Sequence, residues 1–513
     1  MPSIIPLDVP SLPEQVDISG SGGALDVVRE VVRRGPFRDS WDSLREYQVP
    51  RWYRDAKFGV FIHWGLYSVP AFRNEWYPRN MYLDGTEEFQ HHLQTYGPQA
   101  SFGYKDFIPS FQMENFDPDE WAVLFRRAGA QFAVPVAEHH DGFTMYDSGR
   151  TRWSAARMGP KRDVFGELLT SMDRAWIIRG ASSHRAEHWF FMNGGARFDS
   201  DVLDPRFLDF YGPAQREETA PNDLYLQDWL LRSVEIIDKY RPQIFWFDWW
   251  IEQPAFQPYL KLFASYYYNR AVEWGVQVAI NYKWDAFEAG TAVYDVERGT
   301  VAAVRSEPWQ SDTSVSRTSW CWIGNHDYKS VAELIAELVD TVSKNGNLLL
   351  NIGPKPDGTI APEEQSLLEG IGRWLAINGE AIFGSRPWLI AGEGPAKAKA
   401  GSFVDSTASA FTSEDIRFTS RADVTGDYLY ATVLAPPREG LVRIRSFGRG
   451  AGLLNREIRE VAVLGVLGPP QWSQEDAFLA VRVPNAPGSF GGPVVKLFLE
   501  PVAGQRRTDF LHG

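Results

Sequence analysis

The chain has 513 residues, 44% hydrophobic and 23% charged, which supplies a sizeable core, excludes intrinsic disorder and fits two or three domains, or one large domain with a smaller one. A net charge of −14 repels nucleic acid and anionic membrane, so neither is expected as a partner and a neutral substrate fits better than a phosphorylated one. The lone cysteine, Cys321, excludes an internal disulfide and any multi-cysteine metal centre, and no cofactor is expected.

The N-terminal residues show no basic stretch followed by an apolar run, and no apolar run is long enough to span a bilayer, so a soluble cytoplasmic protein is expected. Residues 1–40, with Pro2, Pro6, Pro10, Pro13 and the Gly20–Gly23 cluster, read as an irregular N-terminal arm. Residues 41–388 alternate apolar runs with amphipathic stretches. Phe58–His63, Phe132–Ala137, Trp176–Ala181, Ile244–Asp248, Val276–Asn281 and Leu348–Ile352 are short and nearly continuous in apolar residues, as strands buried on both faces require.

Helix signals fall between these runs. Asp117-Pro118-Asp119-Glu120 caps a helix over Trp121–Ala128. Ser330 and Glu333 make a capping box, behind which Val331, Leu334, Ile335, Leu338, Val339 and Val342 share one face. A further helix covers Glu363–Ile377. The alternation predicts the α/β class and a (β/α)8-like TIM barrel, with a doubly wound open sheet as the runner-up. In residues 389–513 the period changes: Leu441–Arg445, Leu479–Val483 and Val494–Leu499 alternate as half-buried strands do, which predicts a small antiparallel β-sandwich.

In a barrel, chemistry sits where strands end on the C-terminal face. Five apolar runs end in polar residues: His63-Trp64-Gly65, Glu138-His139-His140-Asp141, Ser182-Ser183-His184, Asp248-Trp249-Trp250 and Asn281-Tyr282-Lys283. One such ending is noise; five define a polar cleft rimmed with aromatic rings. His63 and His184 also read as hydrogen-bonded core residues. His139-His140 looks like a metal pair, but adjacent strand residues point to opposite faces and no third ligand stands at a recognised spacing, so ligand hydrogen bonding is preferred. Asp248 follows three apolar residues, where a carboxylate is costly unless hydrogen-bonded or used chemically; its plain alternative is a helix N-cap. Glycoside hydrolysis needs a second carboxyl, and spacing does not choose among Glu75, Glu252, Glu288, Glu297 and Glu307.

Several long motifs then stand in order: Trp52–Gly65, Ser68-Val-Pro70, Asn74-Glu-Trp-Tyr77, His139-His-Asp-Gly-Phe143, Met158–Asp163 and Asn347–Pro354. They resemble the α-L-fucosidases of glycoside hydrolase family 29 over about residues 45–390, and more loosely in the sandwich. The resemblance implies a retaining mechanism with Asp248 as nucleophile. It implies that His63, Glu75, Trp76, His139 and His140 bind fucosyl hydroxyls, and it puts His184 at the matching strand end of a subgroup carrying Ser-Ser-His-Arg-Ala-Glu. Trp64, Trp76 and Trp249 are expected to line the cleft, with Trp249 or Trp76 taking the 6-methyl group. Many relatives carry Trp-Glu where this chain has Trp309-Gln310. Glutamine is no proton donor of that kind, so Glu297 in Tyr294–Gly299 is the favoured acid/base, with Glu307 and Glu75 in reserve. The implied partner is a fucosylated glycan or fucoside, and oligomers are allowed. Two alternatives are an inactive fucose-binding protein, suggested by Gln310, and a metal-dependent hydrolase built on His139, His140 and Asp141.

Overall fold

The structure is a computed structural model and describes residues 21–212, 214–396, 400–405, 411–423, 426–483 and 491–500. Eight parallel strands close into a barrel in chain order: β1 (Phe58–Ile62), β2 (Phe132–Glu138), β3 (Ile178–Ser183), β4 (Ile244–Phe247), β5 (Ala279–Tyr282), β6 (Val293–Glu297), β7 (Trp309–Ser314) and β8 (Gly346–Ile352). β1 pairs with both β2 and β8, which completes the ring. The closed barrel removes the doubly wound alternative.

β1, β2, β4, β5 and β8 are buried throughout, because helices cover the outside and side chains fill the inside. Two runs begin later than their apolar residues suggest. Trp176 is 84% exposed with φ 58°, and β3 starts at Ile178. Val276 is likewise exposed, and β5 starts at Ala279.

β6 and β7 have no apolar run to announce them. β7 reads Trp-Gln-Ser-Asp-Thr-Ser and is nonetheless fully buried. Its inner face joins a polar layer within the barrel. Gln310 accepts from Tyr53 Oη at 2.8 Å and donates to Asp295, Asn281 donates to the same Tyr53 oxygen at 2.8 Å, and Trp246 Nε1 donates to Asp295 at 3.2 Å. These bonds offset part of the cost of burying such strands, although Asn281 Oδ1 and Asp295 Oδ1 are left without a hydrogen-bond partner among the described residues. No helix occupies the β5–β6 or β6–β7 crossover, so this side of the barrel departs from regular (β/α) alternation.

The helix caps form as the sequence reads. Asp117 accepts from the Asp119 and Glu120 amides ahead of the helix Pro118–Arg127. Ser330 and Glu333 exchange both capping-box bonds at the start of Val331–Ser343. Ser330→Ala is expected to lower stability by about 1 kcal/mol, read as a reduced urea midpoint with unchanged activity at low temperature.

The N-terminal stretch differs from the expected irregular arm. Ser21–Arg34 is an α-helix, and its Leu25, Val28 and Val32 are buried in the barrel's core cluster beside the helix Gln257–Trp274. The apolar spacing of Leu25, Val28 and Val32 is helical, but the Pro and Gly cluster before it dominates the sequence signal. Residues 1–20 of the arm lie outside the described residues.

After the last barrel helix (Pro362–Asn378), β9 (Arg386–Glu393) opens a five-stranded antiparallel sheet of order β13-β16-β11-β10-β9. It straddles the boundary expected at 388/389. The partners are β10 (Ile416–Ala422), β11 (Asp427–Val433), β13 (Ile458–Val463) and β16 (Val494–Leu499); β12 (Leu441–Ile444), β14 (Trp472–Gln474) and β15 (Leu479–Arg482) form a three-stranded sheet. The two sheets enclose a core of their own that includes Ile416, Phe418, Val442, Val481 and Leu497. Among the described residues no helix is long and apolar enough to cross a membrane.

Candidate active site

The strand ends converge on a cavity of about 430 Å³ at the C-terminal face of the barrel. Its wall includes His63, Glu75, Trp76, His139, His140, Asp248, Trp249 and Glu297, eight of the ten residues picked out from sequence. Trp64 is not there. Its ring packs on Phe111, Phe116 and Trp121, and its Nε1 donates to the Lys355 carbonyl at 2.8 Å. The residue next to a strand-end histidine points to the opposite face, which makes Trp64 a core residue. His184 reaches the site from beneath, through Asp248.

Asp248 follows β4 and is held on all sides. His184 Nδ1 donates to Oδ2 at 2.8 Å, the Trp249 amide donates to Oδ1 at 2.8 Å, and Lys283 Nζ lies 3.3 Å from Oδ1. His184 Nε2 in turn accepts from Ser182 Oγ at 3.1 Å, which fixes the ring's tautomer. Burial alone pushes a carboxyl up, but here Lys283 and His184 outweigh it and hold Asp248 well below the usual carboxylate range.

Glu297 ends β6, and its Oε2 lies 2.5 Å from the same Lys283 nitrogen. Burial raises its pKa, Lys283 works against that, and Asp312 and Asp248 add to the rise; the result is about 7. One ammonium therefore touches both Asp248 and Glu297, and it lies 3.4 Å from Asp312 on β7. Lys283 is 3% exposed and sits over the Trp246 ring. Asp312 is itself pushed well up, by burial first and then by Asp295.

The histidines fall into two groups. His63 and His139 are held well below the usual imidazole value, chiefly by burial, and are neutral. His63 Nδ1 donates to Asn351 Oδ1 at 2.7 Å, and Asn351 Nδ2 donates to the Trp320 carbonyl at 2.6 Å, so one residue of the Asn347–Pro354 motif orients two walls of the cavity. His139 Nδ1 is buried with no partner among the described residues. His140 behaves oppositely. Burial opposes its charge, but Glu187 and Asp248 push it up to about 9, with Nδ1 donating to Glu187 at 3.1 Å.

Gly142 turns the chain after this pair at φ 78°, and a Cβ there would stand 2.7 Å from the His188 ring, so glycine is required. Glu75 accepts from the Trp320 amide at 3.0 Å, and burial raises its pKa.

Of the other glutamates weighed from sequence, Glu75 lines the cavity and Glu252 does not. Glu307 is exposed, and Glu288 pairs with Arg45. Asp141 accepts from Tyr104 Oη at 2.7 Å and from the Phe143 amide, facing away from the histidine pair, so the His139–His140–Asp141 set does not assemble. Gln310 lies in the polar layer one strand pleat below Asp312. It does not line the cavity, so the absence of glutamate there does not take a proton donor from it. Arg298 pairs with Asp405 at 3.4 Å, not with Glu297. Sequence reasoning assigned no role to Lys283, Asp312, Trp284, Trp320 or Phe403. Lys283 alone carried a signal, as a charge at the end of an apolar run.

A (β/α)8 barrel whose C-terminal cavity is lined by Glu75, Asp248, Glu297 and Asp312 has the paired carboxyls that a glycoside hydrolase needs. The sequence profile of the family described as Alpha-L-fucosidase matches residues 26–380, and the chain belongs to that family. It is 31% identical over 475 residues to the tissue alpha-L-fucosidase of Homo sapiens, covering 91% of this chain and 92% of that one. It is 29% identical over 379 residues to the alpha-L-fucosidase of Dictyostelium discoideum, covering 71% and 78%. The crystal structure of the Thermotoga maritima alpha-fucosidase superposes with a TM-score of 0.70 at 28% identity, covering 90% of this chain and 100% of that one; another structure of that enzyme is a complex with fucose.

Proposed function

We propose that the enzyme removes terminal α-L-fucosyl residues from glycosides by double displacement, with Asp248 as nucleophile and Glu297 as acid/base. The observation that carries the assignment is the single Lys283 ammonium in contact with both carboxyls. Their oxygens can stand no further apart than those two contacts laid end to end. That fits the separation of about 5–5.5 Å used for retention and not the 6.5–9.5 Å or so that leaves room for an inverting water.

The protonation states suit the roles. Asp248 is anionic and its carboxylate attacks the anomeric carbon, while Glu297, near its midpoint at neutral pH, delivers a proton to the leaving oxygen and then takes one from water. Lys283 and His184 keep Asp248 ionised. His139, with a buried nitrogen lacking a protein partner, together with His63, His140 and Glu75, offers hydrogen bonds to sugar hydroxyls. Trp76 and Trp249, whose rings lie 6.4 Å apart, give the 6-methyl group an apolar wall. The negative charge continues to argue against nucleic acid and anionic membrane as partners. A chain with one cysteine forms no internal disulfide, which fits the expected cytoplasmic setting.

The test is stereochemical. Proton NMR of 4-nitrophenyl α-L-fucoside hydrolysis is expected to show α-L-fucose first, with the β anomer appearing only by mutarotation. Initial release of the β anomer would end the retaining assignment.

A further inference from the structure

Two aromatic rings line the mouth of the cavity and belong to no hydrophobic core cluster among the described residues. Trp284, directly after Lys283, is 50% exposed, and Phe403 is 56% exposed. Both line the cavity that Glu297 lines. Both also adopt left-handed backbone, φ 57° and φ 58°, a conformation costly for large side chains and concentrated at functional sites.

Phe403 comes from outside the barrel. It lies in the connection between β9 and β10 of the C-terminal sheets, and residues 400–405 return to the end of β6. The Phe403 amide donates to the Glu297 carbonyl at 2.9 Å, the Val404 amide to the Arg298 carbonyl at 2.9 Å, and Gly401 exchanges bonds with Thr300. Asp405 fastens the segment, 2.9 Å from Lys329 Nζ and 3.4 Å from Arg298.

The acid/base must stand on the leaving-group side of the scissile bond. The group that departs with the proton therefore passes the rings beside Glu297. We propose that Trp284 and Phe403 form the leaving-group subsite, stacking on the apolar face of the pyranose to which fucose is attached. This rests on Glu297 being the acid/base. It gives the C-terminal domain a share in specificity: the barrel reads fucose, and a residue supplied by the sheets reads what fucose is joined to.

The test compares kcat/KM on a fucosyl disaccharide with kcat/KM on α-L-fucosyl fluoride, whose leaving group has no ring to stack. In Phe403→Ala and in Trp284→Ala the ratio of disaccharide to fluoride is expected to fall about tenfold, the equivalent of about 1.4 kcal/mol, mainly through KM. Phe403→Trp is expected to restore it. Neither ring is in the core, so the variants should fold. An equal loss on both substrates, or no loss on either, would overturn the subsite. Glu297→Ala is run alongside. If it leaves disaccharide turnover intact, the acid/base reading has failed, and the ratio in the ring variants still reports on stacking by itself.

Discussion

Asp248→Gly is expected to lose at least about 10³-fold in kcat on an aryl α-L-fucoside, because it removes the carboxylate that forms the bond to the anomeric carbon. Glycine also leaves a hole lined by Lys283 and His184, both donors that faced the missing carboxylate. A small anion fits such a hole. Azide should restore part of the rate, and the product should be β-L-fucosyl azide, since the anion attacks from the nucleophile's side and nothing follows to invert the centre again. Turnover close to wild type would remove Asp248 from the role. Recovery of the α azide would place the lost group on the opposite face.

Glu297→Ala is expected to separate substrates by their leaving groups. A sugar aglycone needs the proton, so loss of general acid catalysis should cost about 10²–10⁴-fold on a disaccharide. An activated aryl fucoside leaves unaided, so its first step should survive and fucosyl-enzyme should accumulate as a burst. Azide then attacks that intermediate and gives the α azide, the mirror of the Asp248 result. The pH profile supplies an independent check. Glu297 must hold its proton in the first step, and its pKa in the fold is about 7, so disaccharide turnover should fall as pH rises through 7. Asp248 must be ionised and is held well below the ordinary range, so the acid limb should lie far lower. In Glu297→Ala the limb near 7 should vanish. Linkage runs the same way: a carboxyl raised in the fold binds its proton more tightly there than in the unfolded chain, so its contribution to stability is present at low pH and is lost as pH rises through 7.

How much of this was readable depended on the kind of burial. β1, β2, β4 and β8 are buried on both faces by apolar side chains, and a run such as Phe58–Ile62 signals that directly. β7 is just as buried and β6 nearly so, but Asp295, Glu297, Gln310 and Asp312 occupy these strands, so hydrophobic periodicity is silent. Asp248, at the end of the apolar strand β4, was visible in that pattern, whereas Glu297 and Asp312 lie where it fails. Glu297 came from a family motif, and the motif with Gln310 pointed one pleat too deep. Lys283 shows a different limit. Its place at a strand end was visible, but contact with Asp248, Glu297 and Asp312 joins three strands far apart in sequence. Phe403 had no readable signal, because it reaches the mouth from a domain whose own strands gave no hint of a return to the barrel.

That return has a consequence for how the enzyme can be taken apart or recombined. A chain cut after β9 keeps every barrel strand, yet it takes Asp405 from Arg298, which is 7% exposed, and leaves Lys329 with Glu337 alone, and a buried charge stripped of its partner is costly. The barrel is therefore not a detachable module. If the sheets were exchanged between relatives, the grafted piece would carry its own strap, and the hybrid would inherit half its selectivity from each parent.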